Sequence, residues 1–365
     1  MLRNDPISSY VQPKKLQSEN ELLNSTSVPN LDDTEGWKPI AVTLSSCDAA
    51  TLARAIQMCV KNGGVLHLNG LNSLVPFQAV SKVLEFLGER GDLATRANEA
   101  YIKNLVYKDS FANGKGGPKV DEKRVLDLSP ARLETIVKVD PSIENEFGEP
   151  LRKAVSFFED IKQRVAPKIL DALTKAIGKS SALDHTTLFN YRMVDYYERE
   201  SSSPSPRCGE HRDFGTFTLI FPDRSTSGLE AFVGGEWKPV PLPDEDGGIL
   251  LFGYCTQFRS NDRIPASLHR VSNPVDVETG RVKRRLACIL FAAPEQEADI
   301  SPVVLSDYEV PSYKELTAGD LKVMVGRKWR YREGTCKDKE AIMEEQLLHQ
   351  FKDSDELINL RYRTS

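Results

Sequence analysis

The tripeptide His211-Arg212-Asp213 contains two residue types that bind metal ions. Residues i and i+2 of an extended strand project to the same side, so the imidazole and the carboxylate can reach one point while Arg212 faces away. A second imidazole, His269, follows 56 residues after Asp213 on another predicted strand. Two histidines and one carboxylate form the facial triad that leaves coordination positions open and suits non-haem Fe(II). Because such tripeptides also arise by chance, the metal site needs support from other residues.

An arginine supplies that support. Arg285 follows His269 by 16 residues and begins the apolar segment Leu286–Phe291. A guanidinium inside an apolar barrel is costly unless it meets an anion, and its planar fork fits a carboxylate. The sequence therefore predicts that Arg285 binds the far end of a dicarboxylate.

Two other arginines are alternatives for that role. Arg284 and Arg281 lie close to Arg285 in the sequence, which leaves them as possible partners of the anion. We favour Arg285 because it adjoins the apolar strand directly.

Strand-like segments dominate residues 188–294, and Gly, Pro and Asp separate them. This texture is typical of an all-β sandwich or barrel. The predicted strands are Met193–Tyr197, Thr216–Phe221, Leu229–Val233, Trp237–Val240, Gly248–Phe252, Ser267–Val271 and Leu286–Phe291.

Helical spacing of apolar residues is more frequent before this β region. We predict a helix capped by Asp48 between short strands at Pro39–Val42 and Val65–Leu68, and a long helix from Leu151 to Ile177 with a kink at Pro167.

The chain is predicted to form one integrated catalytic domain with four segments. Residues 1–36 are polar and form a flexible arm, and residues 37–180 form a helical and strand region that packs on the barrel. Residues 181–310 form the barrel core and residues 311–365 a helical extension. The polar loop 100–118 and the C-terminal helices are expected to cover the pocket, whose walls would include Phe214, Phe291 and Ala293.

Composition excludes several classes of protein. The 365 residues carry a net charge of −5 with no basic stripe, which argues against a nucleic-acid partner. The longest apolar runs are too short to span a membrane, and the polar start lacks a secretory signal. The six cysteines include no C-x-x-C pair and predict neither a zinc ribbon nor a disulfide framework. A cytoplasmic protein that acts on a small molecule is the expectation.

Several sequence blocks resemble the iron- and 2-oxoglutarate-dependent dioxygenases of the isopenicillin N synthase-like group. The blocks HRDFGTFTLIF, GLEAFVGGEWKPVP, GGILLFG, SLHRVSNP and RRLACILFAAP occur in the order and at the spacings of that family. The similarity extends from about Trp37 to Leu316. It implies a mainly β fold with flanking helices and a double-stranded β-helix, or jelly-roll, core.

The resemblance also implies roles for individual residues. His211, Asp213 and His269 match the ligands of Fe(II), and Arg285 matches the arginine that pairs with the C5 carboxylate of the co-substrate 2-oxoglutarate. Tyr197 falls where the family often has a tyrosine that binds the same carboxylate. With O2, such a site would hydroxylate, desaturate or cyclise a moderately apolar, natural-product-like molecule and release succinate and CO2.

Two features depart from the family pattern, and three other functions remain open. The segment Val275–Val282 makes the spacing between His269 and Arg285 longer than is common in the family. A hairpin turn around Thr279-Gly280 would accommodate the additional residues. Ala287 stands where the family has a serine, which removes one hydroxyl donor to the co-substrate. An iron-dependent oxidase without 2-oxoglutarate and a catalytically inactive jelly-roll binding protein are alternatives. A hydrolytic zinc site would leave Arg285 unexplained.

Overall fold

The computed structural model describes residues 37–71, 77–89, 108–109, 123–139, 141–200, 207–223, 228–272, 274–323 and 325. Every element below lies in Lys38–Ser365. The predicted arm of residues 1–36 lies outside the described residues, as do most of the loop 100–118 and the end of the predicted C-terminal extension. The division into four segments stays a prediction.

Short strands alternate with helices in the first half of the chain. They are β1 (Ile40–Thr43), α1 (Ala49–Cys59), a 3-10 turn (Val60–Asn62), β2 (Val65–Asn69), α2 (Phe77–Glu89), β3 (Lys108–Asp109), β4 (Arg124–Leu128), α3 (Pro130–Val139), α4 (Pro141–Asp160), a π-helical turn (Ile161–Val165) and α5 (Ala166–Ile177).

The local signals in this half explain where its helices begin and bend. Asp48 accepts a hydrogen bond from the backbone N of Thr51 at 2.7 Å, so the predicted N-cap of α1 is confirmed. The predicted long helix is present as α4 and α5, separated by the π-helical turn. Pro167 lies in the first turn of α5, where its missing N–H removes no helical bond. A π-helical turn therefore interrupts the helix just before Pro167, where the sequence predicts a kink.

Strands fill the second half of the chain. They are β5 (Thr187–Tyr196), β6 (Arg199–Glu200), β7 (Cys208–His211), β8 (Phe217–Pro222), β9 (Leu229–Val233), β10 (Glu236–Pro239), β11 (Gly248–Phe252), β12 (His269–Val271), β13 (Arg281–Val282) and β14 (Arg285–Pro294), with the short helix α6 (Tyr254–Arg259) after β11. Each predicted strand of this half overlaps one of these, and the predicted bounds of β9 and β11 are confirmed.

Among the described residues the strands form two main sheets. The larger has the order β1-β2-β11-β8-β14-β5-β4-β3, and the smaller has the order β10-β9-β12-β7. Only β1 and β2 pair in parallel; the other pairs of these sheets are antiparallel. A third, two-stranded sheet joins β13 to β6. Among the described helices, none combines the length and the hydropathy of a transmembrane span.

A continuous apolar core lies on one face of the larger sheet. Leu286, Cys288 and Leu290 of β14 are buried in it with apolar residues of α4 and α5. Each large side chain that leaves water contributes about 1.5–3 kcal/mol, so this layer fixes the sheet against the helices. The opposite face of the sheet, together with the smaller sheet, lines a cavity of about 720 Å³.

Candidate active site

Three side chains meet at the wall of this cavity. His211 Nε2 lies 3.6 Å from Asp213 Oδ1, and His269 Nε2 lies 3.9 Å from Asp213 Oδ2. One ligand atom from each residue lies within 4.8 Å of the other two. Two imidazole nitrogens and one carboxylate oxygen at this separation can hold a single transition-metal ion and leave positions open on the cavity side.

Strand pairing brings the two histidines together. β12 and β7 are antiparallel neighbours, and His269 is the register partner of His211. A register shift places Val271 opposite Cys208, so β7 has one residue more than β12 over the same span. Such β-bulges re-aim side chains beside active sites.

Asp213 reaches the site in a different way from the one its spacing suggests. The expectation that it shares a strand with His211 is wrong, because β7 ends at His211 and Asp213 lies in the irregular segment that follows. Its backbone carbonyl accepts a hydrogen bond from Tyr254 N at 2.9 Å, and the hydroxyl of Thr218 donates to its Oδ2. These two contacts aim the carboxylate at the histidines.

A glycine lets this segment approach β14. The backbone N of Thr216 donates to the carbonyl of Ala292 at 2.7 Å. A Cβ added at Gly215 would lie only 2.3 Å from that same carbonyl oxygen. Glycine is therefore required two residues after Asp213 for the backbone to pass.

Hydrogen bonds orient both imidazoles. Nδ1 of His211 lies 2.8 Å from the carbonyl of Gly209, and Nδ1 of His269 lies 3.0 Å from the carbonyl of Ser267. A carbonyl only accepts, so Nδ1 carries the proton in each ring and the lone pair is on Nε2. Burial, and next the neighbouring His211, lower the pKa of His269, which keeps its ring neutral near pH 7. A neutral imidazole is the form that binds metal.

Arg285 lies at another part of the cavity wall. It is only 2% exposed, and its Nε has no hydrogen-bond partner. Among the described residues no carboxylate forms an ion pair with it, and its guanidinium lies 5.3 Å from the centre of the Tyr196 ring. A buried cation in this state is stabilised by an anionic ligand.

The two alternative arginines already have carboxylate partners. Arg284 donates from Nε and Nη2 to the two oxygens of Asp195, both at 2.9 Å. Arg281 pairs with Glu198. Neither lines the cavity. The preference for Arg285 therefore agrees with the geometry.

The additional residues before Arg285 form the hairpin turn that the sequence predicts. Val275 pairs with Val282, and the backbone N of Gly280 donates to the carbonyl of Asp276 at 2.9 Å. Gly280 has φ +67°, a conformation that favours glycine.

The structure does not bring Tyr197 to the cavity. β5 ends at Tyr196, which is the register partner of Arg285 and lines the cavity, whereas Tyr197 follows the strand and is not part of the lining. Successive residues of a strand face opposite sides, and Arg192, Val194 and Tyr196 share the cavity side. Tyr196 thus stands beside Arg285 where the sequence predicts Tyr197.

The predicted apolar wall residues do reach the cavity. Phe214, Phe291 and Ala293 all line it, as expected. Phe291 and Ala293 are two residues apart on β14, so they share one face of that strand.

The barrel region matches a known family. Residues 183–294 match the model of the 2OG-Fe(II) oxygenase superfamily. The match contains His211, Asp213, His269 and Arg285. The chain carries a 2OG-Fe(II) oxygenase domain. This match does not specify a subgroup, so the narrower likeness to the isopenicillin N synthase-like group stays a prediction.

Curated relatives agree with the family of the oxygenase domain. A proline hydroxylase of Petromyces alliaceus is 33% identical over 118 residues, which are 31% of this chain and 37% of that protein. A 2-oxoglutarate-dependent dioxygenase of an Acremonium species is 26% identical over 238 residues, 56% of this chain and 68% of that protein. The chain thus spans only 37% of the length of the first of these relatives.

A solved structure supports the fold. A full-length Neurospora crassa protein in complex with alpha-KG aligns with a TM-score of 0.60 at 18% identity, over 78% of this chain and 94% of that one. The described part of the chain therefore has the jelly-roll core with flanking helices that the sequence predicts.

Proposed function

We propose that the chain is a non-haem Fe(II) oxygenase that uses 2-oxoglutarate and O2 to oxidise a small organic molecule. The observation that carries this proposal is one cavity with two features. It holds the cluster of His211, Asp213 and His269, and it holds Arg285 as a buried cation without a carboxylate partner among the described residues. The first feature fits a metal ion and the second fits the far carboxylate of 2-oxoglutarate.

The residues of the chain have separate tasks in this proposal. The Nε2 atoms of His211 and His269 and the carboxylate of Asp213 would hold Fe(II). Arg285 would form a fork with the C5 carboxylate of 2-oxoglutarate, and Tyr196 would pack against that guanidinium. When bound, iron and 2-oxoglutarate supply a two-electron oxidation by O2 that releases succinate and CO2.

The rest of the cavity positions the substrate and keeps the oxidising centre away from water. Apolar side chains from both sheets form much of its wall, including Ile220, Ile289 and Phe291 from the larger sheet and Leu229 and Val271 from the smaller. This wall favours a moderately apolar, natural-product-like substrate for hydroxylation, desaturation or oxidative ring formation. The proposal includes a cytoplasmic localisation and needs neither nucleic acid nor a membrane.

Anaerobic addition of Fe(II) and 2-oxoglutarate tests the assignment. We expect the weak visible charge-transfer band of the chelate in the wild-type protein and its loss in Asp213→Ala and His269→Ala, with far-UV circular dichroism unchanged. The control is His185→Ala, because His185 is more than 20 residues from the triad in sequence and does not line the cavity. A band that survives in both ligand variants would contradict the metal site.

Release of succinate separates this function from its rivals. An iron oxidase that does not use 2-oxoglutarate would form no succinate, and an inactive binding protein would consume no O2. Either result in a wild-type protein that holds Fe(II) would overturn the proposal.

A further inference from the structure

The cavity carries more positive charge than iron and 2-oxoglutarate balance. Fe(II) and the 2-oxoglutarate dianion cancel each other, so the charge of the lining side chains remains. Among the described residues five cations face two carboxylates, which leaves a surplus of three positive charges. The cations are Lys123, Arg132, Arg192, Arg285 and Lys322, and the carboxylates are Asp127 and Asp213.

Part of this charge is organised in a polar cluster away from Arg285. Arg192 donates from Nε and Nη2 to the two oxygens of Asp127, at 2.8 and 3.0 Å. Asn190 donates to Asp127 Oδ1 at 3.3 Å, and Arg132 donates from Nη1 to Asn190 Oδ1 at 2.9 Å. The chain of contacts holds both guanidinium groups in defined positions.

Arg132 is the cation of this cluster whose charge is not matched. Arg192 has Asp127 as its ion-pair partner, whereas the side chain of Arg132 meets only the neutral amide of Asn190 among the described residues. Arg132 is half-buried in the first turn of α3 and lines the cavity. Like Arg285, it has no carboxylate partner among the described residues, and its guanidinium is of the type that binds a carboxylate.

The cluster lies on the metal side of the cavity. Asn190 on β5 pairs with Phe291 on β14, and Phe291 pairs with Thr218 on β8. Thr218 in turn donates its hydroxyl to Asp213. Two inter-strand spacings, about 10 Å, therefore separate Asn190 from the strand that supports the metal site.

Arg285 is farther from this cluster. Its register partner Tyr196 is six residues along β5 from Asn190, a strand length of about 20 Å. Arg132 and Arg285 therefore lie at different parts of the cavity wall.

We propose that the substrate is an organic acid with an apolar body, and that Arg132 binds its carboxylate. This inference rests on the proposed function and names its substrate class. Asn190 and the pair of Arg192 with Asp127 position the guanidinium. The aromatic ring of Phe291, whose centre lies 5.6 Å from the Arg192 guanidinium, supports the apolar body between the carboxylate and the metal site.

Matched acids and amides test this substrate class. The probes are phenylalkanoic acids from phenylacetate to phenylhexanoate, each beside its primary amide. Binding is measured by calorimetry on the full chain under anaerobic conditions with Fe(II). Saturating 2-oxoglutarate occupies Arg285, so the titration reports the other part of the cavity.

We expect at least one acid to bind about 10- to 100-fold more tightly than its amide, the effect of one charge-assisted fork. Arg132→Leu should remove this preference and leave the Kd for 2-oxoglutarate unchanged, and Arg132→Lys should restore part of it. The control is Arg164→Leu, because the Arg164 side chain is 71% exposed and pairs with Asp160 on the surface of the helical layer.

The results separate this inference from the proposed function. A wild-type protein for which no acid binds better than its amide overturns the substrate class, and so does a preference that survives in Arg132→Leu. The chelate band is recorded in the same samples. Its absence from the wild type would defeat the proposed function, whereas a normal band without acid preference defeats only the substrate class.

Discussion

Two adjacent arginines at the start of β14 have opposite surroundings. Arg284 faces the helical side, where Asp195 of β5 accepts two hydrogen bonds from it and Glu85 of α2 lies 3.6 Å away. Arg285 faces the cavity and has no carboxylate partner among the described residues. Arg284, whose charge is balanced by carboxylates of the chain, stabilises the fold. Arg285, whose charge is not balanced by any described carboxylate, marks a ligand site.

The rest of β14 repeats this division. Leu286, Cys288 and Leu290 are buried in the core under the helices, and Ile289 and Phe291 line the cavity. A strand alternates its side chains between two faces, so one segment can supply both stability and binding. Substitutions on the two faces should therefore have separable effects.

The largest effect is expected for the stability of a variant at Arg284. Arg284→Leu removes the partner of Asp195, which is fully buried, and should lower the free energy of unfolding by about 3 kcal/mol. Urea denaturation measures this loss. The concentration of 2-oxoglutarate required for half-maximal succinate release should stay within about twofold of wild type. A large rise in that concentration, with stability retained, would mean that Arg284 contacts the ligand.

The opposite pattern is expected at its neighbour. Arg285→Leu should raise the required concentration of 2-oxoglutarate about 10- to 100-fold, since it removes a charge-assisted fork to the C5 carboxylate. Stability without ligand should be unchanged or higher, because a buried cation without a carboxylate partner is lost. Titration of the chelate band and urea denaturation give the two quantities. An unchanged 2-oxoglutarate requirement would place the anchor elsewhere.

The sequence predicts some of these positions and not others, for physical reasons. The local sequence shows that His211 and His269 are residue types that bind metal. It also shows that Arg285 begins an apolar strand. Which side chains of β5 point into the cavity cannot be predicted locally. Tyr196 and Tyr197 are adjacent and both fit the strand pattern, and a shift of one residue in register exchanges the two faces of the strand. The register with β14 selects Tyr196 over Tyr197.

Long-range contacts are a second limit. Arg132 and Asn190 are 58 residues apart in sequence and meet only because α3 follows β4, which pairs with β5. No local pattern indicates such a contact. The position of Asp213 beyond the end of β7 has a similar cause, since its anchor on Tyr254 is a tertiary hydrogen bond.

The smallest effect is expected at Ala287, where a substitution tests whether the ligand-binding part of β14 extends beyond Arg285. Ala287 lies two residues after Arg285 on the same side of the strand and is fully buried opposite Val194. Ala287→Ser places a hydroxyl where the resemblance implies one, and a single hydrogen bond from this neutral donor should lower the required 2-oxoglutarate concentration about threefold. Ala287→Val is the matched control, because it adds volume without a donor and should give no gain. If the serine variant instead loses stability and binds 2-oxoglutarate no better, then the hydroxyl is buried without a partner. Residue 287 would then be part of the packed cavity wall. Of these two residues of β14, only Arg285 would contact the ligand.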